Sequence, residues 1–236
     1  VVEVNSETDF VAKNDMFQEY VADAALVALM HNGEVCDMKT FQCPKVHKSF
    51  EERLTDLIAK IGENMNLRRA AMLEVSNGVI ASYVHNACKP NLGKIGVLVA
   101  LESNGDKAKL QELGKHIAMH VAASNPQFLT IADVDQASID HEKAIFSEQA
   151  KASGKPENII EKMVEGRIKK YFDEVVLEEQ AYIMDPDKKV KQIVADAAKE
   201  MGADIKLKAF VCFRLGEGLE KRNEDFAAEV ASQLKK

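Results

Sequence analysis

His116 and His120 stand four residues apart in Lys115-His116-Ile117-Ala118-Met119-His120. That spacing puts both imidazoles on one face of a helix, where they could chelate a metal. The intervening residues lack the glutamate that a His-Glu-x-x-His metalloprotease uses as its base, and no third ligand stands out, so two helical histidines are the simpler reading. No Gly-x-x-x-x-Gly-Lys-Ser/Thr loop and no Gly-x-Gly-x-x-Gly fingerprint occurs, so the chain is not expected to cradle a nucleotide or any other cofactor itself. There is no Gly-x-Ser-x-Gly elbow, and Cys36, Cys43, Cys88 and Cys212 are scattered without a Cys-x-x-Cys pair. They read as reduced thiols, not as a disulfide frame or a zinc site. Carboxylate pairs such as Glu51-Glu52 and Glu178-Glu179 read as solvated charges.

Thr8-Asp9-Phe10 is a different kind of candidate. An aromatic at the tip of a polar turn has two readings: it folds inward as a small core plug, or it stands out as an anchor for a partner's pocket with Asp9 as its charged neighbour. Composition does not separate them.

The elements that must position these residues follow from periodicity. Val2 and Val4 alternate with polar positions and give a short strand running into the Asn5 to Phe10 loop. A helix follows with Asn14 or Asp15 as N-cap and Phe17, Val21, Ala24 and Ala28 at helical spacing, ending near Asn32-Gly33. Phe50, Leu54, Leu57, Ile58 and Ile61 mark a second amphipathic helix, stopped by Gly62. Leu73 to Ser76, Asn77-Gly78 and Val79 to Val84 have the pattern of a hairpin closed by a type I′ turn, with Ile95 to Leu101 as the next antiparallel strand. Helical patterns run from about Leu110 to Ala123 and then form a pair broken at Ser153-Gly154-Lys155-Pro156, a hairpin that would project as an arm. A helix around Val190 to Met201, a strand around Leu207 to Leu215 and a last helix through Phe226, Val230 and Leu234 complete the chain. Glu7 to Ala12 echoes Asn223 to Ala228, a match too short to establish a duplication.

The expected fold class is α+β: two subdomains of small antiparallel sheets covered by helices, with a helical hairpin arm and a C-terminal helix. The expected divisions are 1–102, 103–215 with the hairpin at about 138–172, and a module at 216–236. At 236 residues, 46% hydrophobic and 29% charged, with no apolar run of bilayer length, the chain reads as soluble and globular. Its 38 acidic against 31 basic residues give a net charge of −7, which disfavours binding driven by nucleic-acid phosphates. Arg68-Arg69 and Lys169-Lys170 read as solvated parts of mixed-charge helices. The opening Val1-Val2-Glu3-Val4, without an initiator Met, suggests a fragment or processed chain.

Several ordered segments carry a family likeness. Glu3-Val4-Asn5 with Thr8 to Asn14 closely resembles the signature of translation elongation factor Ts. The likeness continues through Lys60 to Arg69, Lys94 to Val99, Lys115 to Ala123, Lys162 to Arg167, Ile183-Met184 and Gly216-Glu217-Gly218. The resemblance implies a factor without an active site that binds elongation factor Tu in its GDP form, in a 1:1 or 2:2 complex, and speeds GDP release in the cytoplasm or an organelle matrix. It also implies that Asp9 and Phe10 enter the partner's GTPase domain, and that Ile95, Gly96, His120, Ile183 and Met184 help form the contact surface. The helix around Phe226 to Leu234 would dock there too. Two departures bear on this: the small helical module with which the family usually begins is missing, and the loop Asn86 to Gly93 is longer than in some relatives. A scaffold or chaperone-like module without exchange activity is the alternative.

Overall fold

A computed structural model describes residues 1–43, 47–151 and 156–219. Strand β1 (Val2–Ser6) runs into the single turn α1 (Asp9–Ala12), and Asn14 then caps α2 (Asp15–Met30), its Oδ1 accepting from the backbone N–H of Met16 at 2.9 Å and Phe17 at 3.4 Å. That cap satisfies two of the amide donors every helix start leaves free. After α3 (Val35–Thr40) and the small ribbon β2 (Gln42–Cys43) and β3 (Lys48–Ser49), Ser49 and Glu52 form a capping box that starts α4 (Phe50–Ile61). Gly62 closes that helix in the left-handed conformation, φ 84°. Strand β4 (Met65–Ala70) returns antiparallel to β1. The helices bury Phe17, Tyr20, Ala24, Met38, Phe50 and Leu54 against Val4 and Leu67 of this pair, with Tyr20 stacked on Phe50 at 4.5 Å between ring centres.

A second layer follows. β5 (Gly78–His85) and β6 (Ile95–Ser103) pair antiparallel, and α5 (Lys107–Ser124) packs on them before turning out at Asn125, φ 49°. The arm helices α6 (Gln136–Lys151) and α7 (Glu157–Val175) pack on each other, and the tight ribbon β7 (Ala181–Tyr182) and β8 (Asp185–Lys189) leads to α8 (Val190–Met201). Strand β9 (Ile205–Arg214) comes back to the free edge of β6, giving the order β5-β6-β9. Val97, Val99, Leu101, Leu110, Ile117, Val121, Leu177, Val194 and Leu207 form its core.

The α+β class is as expected, and most elements fall where the periodicity puts them. The Asn77-Gly78 hairpin does not form. β4 has ended at Ala70 and pairs with β1, so no strand precedes Asn77 to make the other arm. Gly78 instead opens β5 at φ 144°, where a Cβ would lie 1.9 Å from the Leu101 carbonyl oxygen. Close approach of the neighbouring strand, not turn geometry, requires this glycine. The two buried clusters accordingly part between Leu67 and Val97, around the 71–77 connection, not at residue 102: β6 lies between β5 and β9 and cannot be divided from either. The break at Ser153 to Lys155 lies outside the described residues, as do the last helix and the part of the 216–236 module beyond Leu219.

Candidate protein-binding surface

Thr8 organises the first candidate. Its hydroxyl donates to the Glu63 carboxylate at 2.9 Å and accepts from the Val11 N–H at 3.4 Å, so the start of α1 is tied both to its own next turn and to the loop after α4. Val11 is buried in the core, and the Gln18 amide donates to the Ala12 carbonyl at 2.8 Å from below. Between these anchors Phe10 points outward with 85% of its surface exposed. The core-plug reading therefore fails: the space beneath α1 is taken by Val11, and the aromatic ring stands on a braced turn. An unburied Phe forfeits about 1.5–3 kcal/mol of apolar burial, stabilisation that remains available to a partner.

Asp9 is exposed and paired with Lys94 Nζ at 3.2 Å. Lys94 immediately precedes Ile95 and Gly96, so this ion pair links the α1 turn to the start of β6. Gly96 lies between Val84 and Phe213 in the sheet, and a Cβ there would come within 3.0 Å of the Val1 side chain. Its bare backbone lets the chain start lie close to the second sheet. The long loop before it is also braced on this side, by Lys89 to Asp15 at 2.6 Å.

The second candidate is the β7–β8 turn. Ile183 and Met184 are 42% and 48% exposed, and the Tyr182 hydroxyl donates to the Met184 sulfur at 3.3 Å. His120 lies wholly buried beneath this turn and offers no surface of its own. The Gln180 amide nitrogen donates to the Glu174 carbonyl at 2.7 Å, which leaves its oxygen to accept from His120 Nε2–H at 2.9 Å. Nδ1 then carries a lone pair and accepts the Ile183 N–H at 3.3 Å. The ring is thus neutral and fixed as one tautomer. Burial holds its pKa below the usual histidine value, the Gln180 bond offsetting this in part. Both nitrogens are engaged, and among the described residues no group of three His, Cys, Asp or Glu side chains is placed to hold a metal. Among the same residues, no hydrogen bond or ion pair joins the α1 turn directly to the β7–β8 turn.

The sequence reading missed a third feature. Arg68 and Arg69 are not on a solvated helix; they lie in β4 and pair with Glu3, a carboxylate only 4% exposed. A strand alternation that puts Glu between Val2 and Val4 carries no sign that the Glu face is covered. Glu179 is likewise mostly covered, paired with Lys189 at 2.7 Å and Lys191 at 2.5 Å.

No helix among the described residues is long and apolar enough to cross a membrane. The family model described as Elongation factor TS matches residues 7–217. The chain is similar to Elongation factor Ts of Paramagnetospirillum magneticum, 56% identical over 98% of this chain and 74% of the relative. It is also similar to that of Rhodospirillum rubrum, 55% identical over 100% of this chain and 77% of the relative, and to that of Caulobacter vibrioides, 55% identical over 98% and 74%. Since the match runs through the α1 turn, both sheets and the β7–β8 turn, the chain belongs to the elongation factor Ts family of translation elongation factors.

Proposed function

We propose that this chain is a guanine-nucleotide exchange factor: it binds elongation factor Tu carrying GDP, hastens release of the GDP and so lets GTP enter. It has no active site of its own, and no cofactor enters the mechanism. Phe10 and Asp9 engage the partner's GTPase domain, with Ile95 and Gly96 beside them, while Ile183 and Met184 make a second apolar contact whose position His120 sets from beneath. Such a factor works where translation runs, in the cytoplasm.

The observation that carries this reading is the ring of Phe10, left almost bare on a turn held at both ends. Exchange needs a ternary state in which factor and nucleotide weaken each other's grip, and the coupling is reciprocal by thermodynamic linkage. About 4 kcal/mol of coupling, expressed wholly in the off-rate, speeds release roughly a thousandfold. One aromatic anchor seated in a pocket supplies ~2–4 kcal/mol, so a rigid wedge of this kind is of the right size.

The test is the loss of fluorescent GDP from elongation factor Tu after mixing with excess unlabelled GDP, with and without the chain. Acceleration by orders of magnitude is expected. Binding with an unchanged release rate would leave a scaffold or chaperone-like module in its place.

A further inference from the structure

Glu3 gathers donors from three places. Asn5 of its own strand donates at 2.9 Å, Arg68 Nη1 at 3.0 Å and Arg69 through Nε, both from β4, and the Gly216 N–H from the turn after β9 at 2.8 Å. The two guanidinium groups then continue across to the second layer. Arg68 donates to the Glu217 carbonyl at 2.6 Å. Arg69 donates to the Arg214 carbonyl at 3.1 Å, pairs with the Glu217 carboxylate at 3.2 Å and lies over the Phe213 ring at 4.3 Å. Burial pushes the Glu3 carboxyl upward, but the bonds from Gly216, Asn5, Arg69 and Arg68 outweigh it and hold the group below its usual value.

An enclosed carboxylate between two arginines is a poor way to gain stability, because desolvation consumes most of the attraction. It is a good way to fix an angle, since planar guanidinium forks accept a single arrangement. β1 leads from Glu3 directly into the turn that carries Asp9 and Phe10, whereas the sheet of β9 supports α5, whose His120 holds the Ile183-Met184 turn.

We propose that Glu3 is a positioning residue for nucleotide exchange: its joint with Arg68, Arg69 and Gly216 sets the orientation of the Phe10 wedge against the layer bearing Ile183 and Met184. The inference rests on the exchange reading above. With the joint loosened, each contact still forms, but the two no longer strain the partner together.

The experiment compares wild type with Glu3→Gln in two measurements. Amide residual dipolar couplings on the free chain report the relative orientation of the two layers, which should shift or become averaged in the variant. In GDP-release titrations the rate at saturating factor should fall about tenfold, the scale of coupling changes along a mechanical link, while the half-saturating concentration moves little. A variant that had merely lost folded protein would show a lower active fraction and an unchanged saturating rate. The loss should disappear in a Phe10→Ala background, because Glu3 acts through the wedge. Should Glu3→Gln not fold, Arg69→Lys carries the same test, keeping the charge at Glu3 but losing the fork to Arg214 and Glu217. Unchanged orientation together with an unchanged saturating rate overturns the inference and leaves the exchange reading standing. A wild-type chain that never accelerates release overturns the exchange reading and Glu3's part in it, while the dipolar couplings still decide whether the joint sets the angle.

Discussion

Replacing Phe10 by Ala removes the ring and leaves the backbone of α1 in place. The turn is held by the Thr8 cap, the buried Val11 and the Gln18 bond to Ala12, none of which involves the ring. With 85% of the residue exposed, little packing is lost on truncation, and the stability change should stay within about 0.5 kcal/mol, as for other surface substitutions. In the complex the reckoning reverses. An aromatic side chain buries at least ~150 Å² when seated, and at about 25 cal/mol per Å², less the methyl that alanine retains, roughly 3 kcal/mol is lost. If that energy acts on the release step, the saturating rate of GDP release falls about a hundredfold. The assay is stopped-flow loss of fluorescent GDP from elongation factor Tu across a titration of factor, with a urea melt of the free variant alongside. A variant that exchanges normally refutes the reasoning. So does one that loses several kcal/mol of stability, because the ring would then belong to the interior.

Other consequences are equally open to measurement. His120 has a folded pKa lowered by burial, so the stability it contributes is fully present above the unfolded value near 6.5; as pH falls below that value toward the folded pKa, it is lost. Urea midpoints should therefore drop as pH is lowered below about 6.5 in wild type and less so in His120→Gln. Gly78→Ala places a methyl against the Leu101 carbonyl at a positive φ, and should cost roughly 3 kcal/mol from strain and displaced strand pairing, read from urea unfolding. Lys94→Ala breaks an exposed ion pair with Asp9, and a thermal melt should show a change below about 1 kcal/mol.

Elements with a strong local signal were legible in the chain. Asn14 and Gly62 mark helix ends by hydrogen bonds that reach only a few residues, so their chemistry is written in adjacent letters. The apolar run of β6 announced itself in the same way. What escaped depends on distant partners. Asn77-Gly78 carries the local signature of a turn, yet the choice of β6 over the preceding segment as neighbour is made by the whole sheet. Met65 to Ala70 has too little alternation to declare a strand, and only its pairing with β1 makes it one. At the candidate surface, Phe10 was visible as a residue but ambiguous in direction, because inward and outward rings share one sequence. The resemblance, not the periodicity, favoured outward. His120 shows the reverse: its helix was plain, while its burial under Ile183 depends on a turn sixty-three residues away.

The placement of β9 has a consequence for how the molecule comes to be made. The inner strand β6 finds β5 at once, but its other edge waits for residues 205–214. During synthesis the layer of β1 and β4 can close while the ribosome is still at work, whereas β6 must keep an unpaired apolar edge in the crowded cell until β9 has emerged, the kind of exposure that invites aggregation. Gly216 follows β9 directly, so its bond to Glu3 of β1 forms only once that strand has emerged, and the layer made early is locked to the one completed later.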